Sequence, residues 1–184
     1  MAVEIERKFL VLDDSYKHEA FAASHIQQGY ICSKRGRTVR IRIRQRINMD
    51  NAACSSSENC SINGCEAVAD SHAYITVKGP SLDGGLSRYE FEQEIPMADG
   101  EKLLTLCDEG IIDKTRWLVR SGSHTFEIDE FHGQNKGLVM AEVELNSTDE
   151  KPKIPHFIGK EVTGDRRYYN NQLRLNPYCN WEKH

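Results

Sequence analysis

Four arginines, Arg40, Arg42, Arg44 and Arg46, are interleaved with Val39, Ile41 and Ile43, and Ile47 closes the run. Successive side chains of a strand point to opposite sides, so such a segment has one ionic face and one apolar face. The pattern recurs along the chain. Glu4, Glu6 and Lys8 oppose Val3, Ile5 and Phe9; Arg88, Glu90, Glu92 and Glu94 oppose Tyr89, Phe91 and Ile95. Lys114 and Arg116 oppose Trp117 and Val119, Glu127 and Asp129 oppose Phe126 and Ile128, and Glu142 and Glu144 oppose Val143 and Leu145. An ordinary half-buried sheet would turn its charges to water. Here both signs are plentiful, Arg and Glu prevail over Ser and Thr, and few helices are at hand to cover the apolar faces. A closed antiparallel barrel of eight strands offers another arrangement, with ionic faces lining a lumen wide enough for one small ligand. Burying lone ions costs several kcal/mol, so that lumen must be wet or filled by a charged ligand. Helices, loops or a second subunit, making a homodimer, would then cover the apolar exterior.

The expected class is mainly β (α+β): an eight-stranded antiparallel barrel forming a tunnel with a few flanking helices. The strands are Val3–Val11, Ile26–Cys32, Thr38–Ile47, Ala73–Gly79, Ser87–Ile95, Ile111–Arg120, His124–Phe131 and Leu138–Leu145. Ser121-Gly122-Ser123 and residues 132–137 make hairpin connections. Helices are expected at Asp13–Ala23, at Met97–Glu109 with Asp99 as its cap and Gly110 as its stop, and near Arg166–Leu175. One domain spans residues 1–175, and 176–184 form a tail. Residues 48–71, rich in Ser, Asn and Ala, read as a flexible insertion. Cys54, Cys60 and Cys65 lie within it, but their spacing matches no standard zinc pattern. All six cysteines are read as free thiols.

Composition excludes several classes. Lys plus Arg is 24 against 28 for Asp plus Glu, a formal net charge of −4, which argues against a nucleic-acid partner. No apolar run approaches a membrane span, and MAVEIERKFLV has no signal-peptide core, so a cytoplasmic protein without a membrane partner is expected. There is no GxxxxGK[ST] loop and no HExxH. What remains is a lumen of cations and carboxylates. Arg and Lys suit phosphate oxygens. Carboxylates alone would repel phosphate, but carboxylates holding Mg²⁺ or Mn²⁺ attract it. Glu4 and Glu6 lie roughly 7 Å apart by strand rise, close enough to serve one hydrated ion or two neighbouring ones.

Glu4-Ile5-Glu6-Arg7-Lys8 forms an ExExK motif on the first strand. Gln28-Gly29-Tyr30, Val39-Arg40-Ile41-Arg42, Thr76-Val77-Lys78-Gly79, Ser87 to Glu92, Asp113 to Arg116, Phe126 to Asp129, Ala141 to Leu145 and Glu161 to Asp165 follow in order. With these stretches the chain resembles the CYTH superfamily, the triphosphate tunnel metalloenzymes, and within it the small single-domain bacterial members. The resemblance implies a divalent metal, Mg²⁺ or Mn²⁺, at Glu4, Glu6, Glu142 and Glu144. It implies phosphate contacts from Lys8, Arg40, Arg42, Lys78, Arg88, Lys114 and Arg116, with Arg167, or else Arg166, at a tunnel mouth. Lys8, Tyr30, Glu90, Glu92 and Asp129 are the implied catalytic positions, the three acids as candidates for orienting water. Carboxylates around Lys8 would raise its pKa and favour an electrostatic role over that of an acid.

The expected activity is metal-dependent hydrolysis of inorganic triphosphate or another small triphosphate, such as a nucleoside or thiamine triphosphate. The alternatives are a class IV adenylate cyclase, for which no purine pocket is evident, and a non-catalytic polyphosphate-binding module, which would gain nothing from the acids.

Overall fold

The computed structural model describes residues 5–34, 37–49, 70–82, 87–107 and 110–181. Glu4 and residues 50–69 of the expected insertion lie outside these. The strands are β1 (Ile5–Val11), β2 (Ala22–Lys34), β3 (Arg37–Ile47), β4 (Ser71–Leu82), β5 (Ser87–Ile95), β6 (Ile112–Ser121), β7 (His124–Phe131), β8 (Val139–Leu145) and β9 (Ile158–Glu161). They form one antiparallel sheet in the order β5-β4-β3-β2-β6-β7-β8-β1-β9.

Eight strands correspond to those expected, and β9 is additional. It pairs with β1 through Phe9↔Glu161 and Val11↔Ile158. That is the edge of β1 which closure onto β5 would need. The hydrogen-bonded ladder therefore stays open between β5 and β9 where a closed barrel was expected. Pro80, which has no N–H to give a ladder, sits where the β4–β5 register shifts between Lys78 and Ser81. Gly122, at φ +63, makes the tight turn from β6 to β7.

The helices are shorter than the sequence pattern suggests. α1 covers only Tyr16–Glu19. Ala22 and Ala23 are drawn instead into β2, opposite Leu118 and Trp117 of β6. α2 (Met97–Thr105) starts after Pro96, which occupies the N-cap, and Asp99 lies inside its first turn. At the C-terminal end a 3-10 turn at Arg166–Tyr168, capped by the Asp165 side chain on the Arg167 N–H, precedes α3 (Asn170–Leu173).

The alternation read from the sequence becomes two different faces of the sheet. The outer face carries Phe9, Val119, Phe126, Ile128, Ala141, Val143 and Leu145, packed beneath Tyr16, Phe157 and Ile158. Over β3 and β4 the cover is α2, whose Gly100 comes so close that a Cβ there would stand 2.4 Å from the Ala73 Cβ. The opposite face carries the charges. At one end it turns apolar, where Ile112, Phe131 and Met140 meet Val162, Tyr168 and Leu173, with Tyr178 and Trp181 packed against them. Tyr178 and Trp181 of the expected tail therefore belong to a core. No helix among the described residues is long and apolar enough to cross a membrane.

Candidate active site

Strand register assembles the ionic face. Lys8 stands opposite Glu142 and Glu6 opposite Glu144 on β1 and β8. Arg116 faces Asp129 across β6 and β7, and Glu127 faces Glu142 across β7 and β8. On the other half of the sheet, Gln28 and Tyr30 of β2 face Arg42 and Arg40 of β3, and these face Tyr74 and Thr76 of β4. Thr76 and Lys78 then face Glu92 and Glu90 of β5.

Three charged side chains of this face are almost fully removed from water: Lys8 at 5%, Lys114 at 2% and Asp129 at 0% exposure. Ions are rarely buried unless paired, and these are. Lys8 Nζ lies 2.5 Å from Glu142 and 3.0 Å from Glu6. Lys114 Nζ donates to Asp129 at 2.5 Å, and Arg116 grips both Asp129 oxygens at 2.7 Å. Arg116 also reaches Glu142 at 3.3 Å and bonds Glu127. One guanidinium thus joins three acids from β7 and β8.

A second cluster lies on β3, β4 and β5. Glu92 accepts from Thr76 at 2.7 Å, from Arg42 at 3.1 Å and from Arg40 at 3.2 Å. The Nε atoms of Arg40 and Arg42 are buried with no hydrogen-bond partner among the described residues. Among the described residues these donors have no acceptor, which suits a face that receives an anionic ligand.

The charges reinforce one another. Burial disfavours the Lys8 ammonium, but Glu142 and Glu6 outweigh it and hold its pKa above the ordinary lysine value. That direction favours the charged form of Lys8. Burial opposes ionisation of Asp129, yet Arg116 and Lys114 prevail and keep its carboxyl well below the usual range. Both of its oxygens are engaged, which leaves it better suited to holding cations than to activating water. Burial, aided by Arg116, lowers Lys114. Arg42 is lowered by burial and then by Arg40, and Arg116 adds to this, so the two clusters act within one field. Burial raises Glu92, but Thr76, Arg42 and Arg40 carry it net below its usual value.

Beside the first cluster lies a cavity of about 380 Å³ lined by Glu6, Glu127, Glu142 and Glu144, with His124, Thr125 and Asn146 at its rim. A donor set of carboxylate oxygens suits a hard divalent cation such as Mg²⁺ or Mn²⁺. Among the described residues no three His, Cys, Asp or Glu side chains converge on one point as ligands, and Glu4 lies outside them.

Most residues singled out from the sequence are brought to this face. Arg88 and Glu90 are described only by their places on β5. Arg167 stands apart: its side chain is 65% exposed, is tied to Asp165 at 2.6 Å and rests on the rings of Tyr168 and Trp181. Glu127, an acid of the cavity, was not among the site residues read from the sequence. It shares the alternate face of Asp129, and that signal could have found it. Gln28 and Thr76 stand in the matching stretches but were not singled out as site residues, because a neutral side chain leaves no mark in a charge pattern.

A family model described as the CYTH domain matches residues 2–169. The chain belongs to the CYTH family. An inorganic triphosphatase from Acetivibrio thermocellus is 38% identical over 184 residues, the whole of both chains. One from Nitrosomonas europaea is 31% identical over 175 residues, 94% of this chain and 97% of the relative. A crystal structure of an inorganic triphosphatase superposes with a TM-score of 0.61 at 27% identity, covering 95% of this chain and 96% of the other. The ionic face described here is therefore carried by a CYTH fold.

Proposed function

We propose that this CYTH protein is a divalent-metal-dependent hydrolase that cleaves inorganic triphosphate to pyrophosphate and orthophosphate. The observation that carries the reading is the one charged sheet face, where Lys8 and Arg116 pair with the glutamates of an acid-walled cavity and Arg40 and Arg42 form a second cationic cluster on β3. The name of the full-length relative at 38% identity supports the same substrate.

In the reaction, a water oxygen attacks the terminal phosphorus in line, the bridging P–O bond breaks, and pyrophosphate carries away the negative charge. Arg40 and Arg42, whose Nε donors have no acceptor among the described residues, would donate to phosphoryl oxygens and balance the charge that builds there. Lys8 and Arg116 are ion-paired to the cavity acids Glu6, Glu127 and Glu142. They keep the glutamates from repelling the substrate. Asp129 holds Lys114 and Arg116 in place. Glu92 fixes the two arginines before the substrate arrives, which reduces the rearrangement binding demands. Glu4, Glu6, Glu142 and Glu144, the positions implied by the family, would hold Mg²⁺ or Mn²⁺ once their carboxylates draw together, and the ion when bound supplies charge neutralisation and Lewis-acid polarisation of phosphate oxygens.

The test is a substrate panel. The protein is incubated with inorganic triphosphate, ATP and thiamine triphosphate, each with Mg²⁺, with Mn²⁺ and with EDTA. Orthophosphate released fastest from inorganic triphosphate, and only with metal, is the expected result. Cyclic AMP and pyrophosphate from ATP would instead make it a cyclase. Tight binding without turnover would make it a phosphate-binding module.

A further inference from the structure

Two side chains on β2 meet beneath the arginines. Gln28 is 2% exposed and Tyr30 is 7% exposed. Residues two apart on a strand share a face, and here the Gln28 amide Nε2 donates to the Tyr30 hydroxyl oxygen at 2.8 Å. Their cross-strand partners are Arg42 for Gln28 and Arg40 for Tyr30. The tyrosine ring is also held from another side, with the Arg174 guanidinium 5.0 Å from its centroid. Between them Gly29 packs closely on its other face: a Cβ there would lie 2.6 Å from Cys107 Sγ and 2.8 Å from Ile111 Cδ1. A tyrosine oxygen has one proton to give and two lone pairs to fill. With Gln28 donating into a lone pair, the O–H proton cannot point at the amide.

We propose that Gln28 is a positioning residue for Tyr30. Its amide fixes the direction of the tyrosine O–H toward the phosphate site and stabilises the charge left on Oη as that proton is shared with a phosphoryl oxygen. No atom of Gln28 needs to touch the substrate. The inference rests on the reading above, in which the phosphates lie along Arg40 and Arg42 and Tyr30 is among the groups that meet them.

A double-mutant cycle tests it on the intact protein, with inorganic triphosphate and Mg²⁺. Q28L removes the donor at similar volume, and Q28M serves as a second variant should leucine disturb folding. Melting temperatures establish that each variant is folded. The expected result is that Q28L and Y30F each lower kcat about tenfold, as the loss of one oriented hydrogen bond would. KM stays within about twofold, since the loss belongs to the reacting state. In the Y30F background Q28L then costs nothing further, because the hydroxyl it positions is gone. Undiminished kcat in a folded Q28L or Q28M protein, beside an impaired Y30F, overturns the inference and leaves the Tyr30 reading standing. Equal losses from Q28L with and without the tyrosine hydroxyl, or a loss carried by KM, also overturn it. Full activity in Y30F overturns the Tyr30 reading and the inference together.

Discussion

Asp129 shows what single residues do in this molecule. It is fully buried, and both oxygens are bound by cations. Asp129→Asn leaves the buried Lys114 and the half-buried Arg116 with their shared counter-charge gone. We expect about 3 kcal/mol lost from the stability to urea, the range for breaking one side of a buried ion pair. An unchanged urea midpoint would mean that Asp129 does not hold the cluster together. Lys8 makes the complementary case: Lys8→Met strands Glu142 and Glu6 together, and turnover of inorganic triphosphate should fall at least about tenfold. Full turnover in that variant would remove Lys8 from the site. Both residues could be picked out from the sequence because charge alternates at period two in their strands. Gln28 and Thr76 could not, since a neutral residue on an ionic face leaves no mark in the pattern.

At the scale of elements, β9 is held to β1 by more than backbone bonds. Arg7 grips both Glu161 oxygens at 2.9 and 2.6 Å, and Thr163 donates to Glu161 at 2.7 Å. The Arg7 hydrogen bonds, then the Thr163 bond, pull the Glu161 carboxyl down to about 2. A depressed carboxylate adds stability above its unfolded value, about 4.3, and loses it as pH falls toward the folded value. Glu161→Gln should therefore lower stability at pH 7, and the gap to the parent protein should close between about pH 4 and pH 2. The pair is partly exposed, so salt should shrink the gap as well. Urea midpoints at pH 7 and pH 2.5 measure it, and a gap that persists at the lower pH contradicts the clamp. A second check falls on α2. Ala usually improves a helix over Gly, but at Gly100 the Cβ would meet Ala73 at 2.4 Å. Gly100→Ala should thus destabilise by about 1–3 kcal/mol, the cost of overpacking. These elements also mark where the sequence stopped being informative. β9 is only four residues long, too short for alternation to register, and its place is set by pairing with a strand some 150 positions away. The helix expected over Asp13–Ala23 ends at Glu19 because Ala22 and Ala23, good helix formers alone, gain more by pairing with β6 and β3.

Across the described strands one face of the sheet carries an apolar core and the other carries the ions, with a second apolar cluster closing one end of the charged face. The sequence pattern carried this division of faces, since every strand with an ionic face named Arg or Glu at alternate positions. It could not carry how the sheet ends, because β9 and β5 reveal their places only through pairings between distant segments. The arrangement ties activity to metal: chelation with EDTA should reduce turnover at least about a hundredfold, and Mg²⁺ or Mn²⁺ in excess should restore it. The central claim, that the ionic face holds the triphosphate, is tested most directly by Arg42→Ala. Arg42 is half-buried on the charged face, and Glu92 keeps Arg40 as a partner when it is gone. The account predicts a melting temperature close to that of the parent protein and kcat/KM for inorganic triphosphate lower by about a hundredfold, as for the loss of a preorganised cationic donor. A folded Arg42→Ala protein that turns over triphosphate at the parent rate would contradict it.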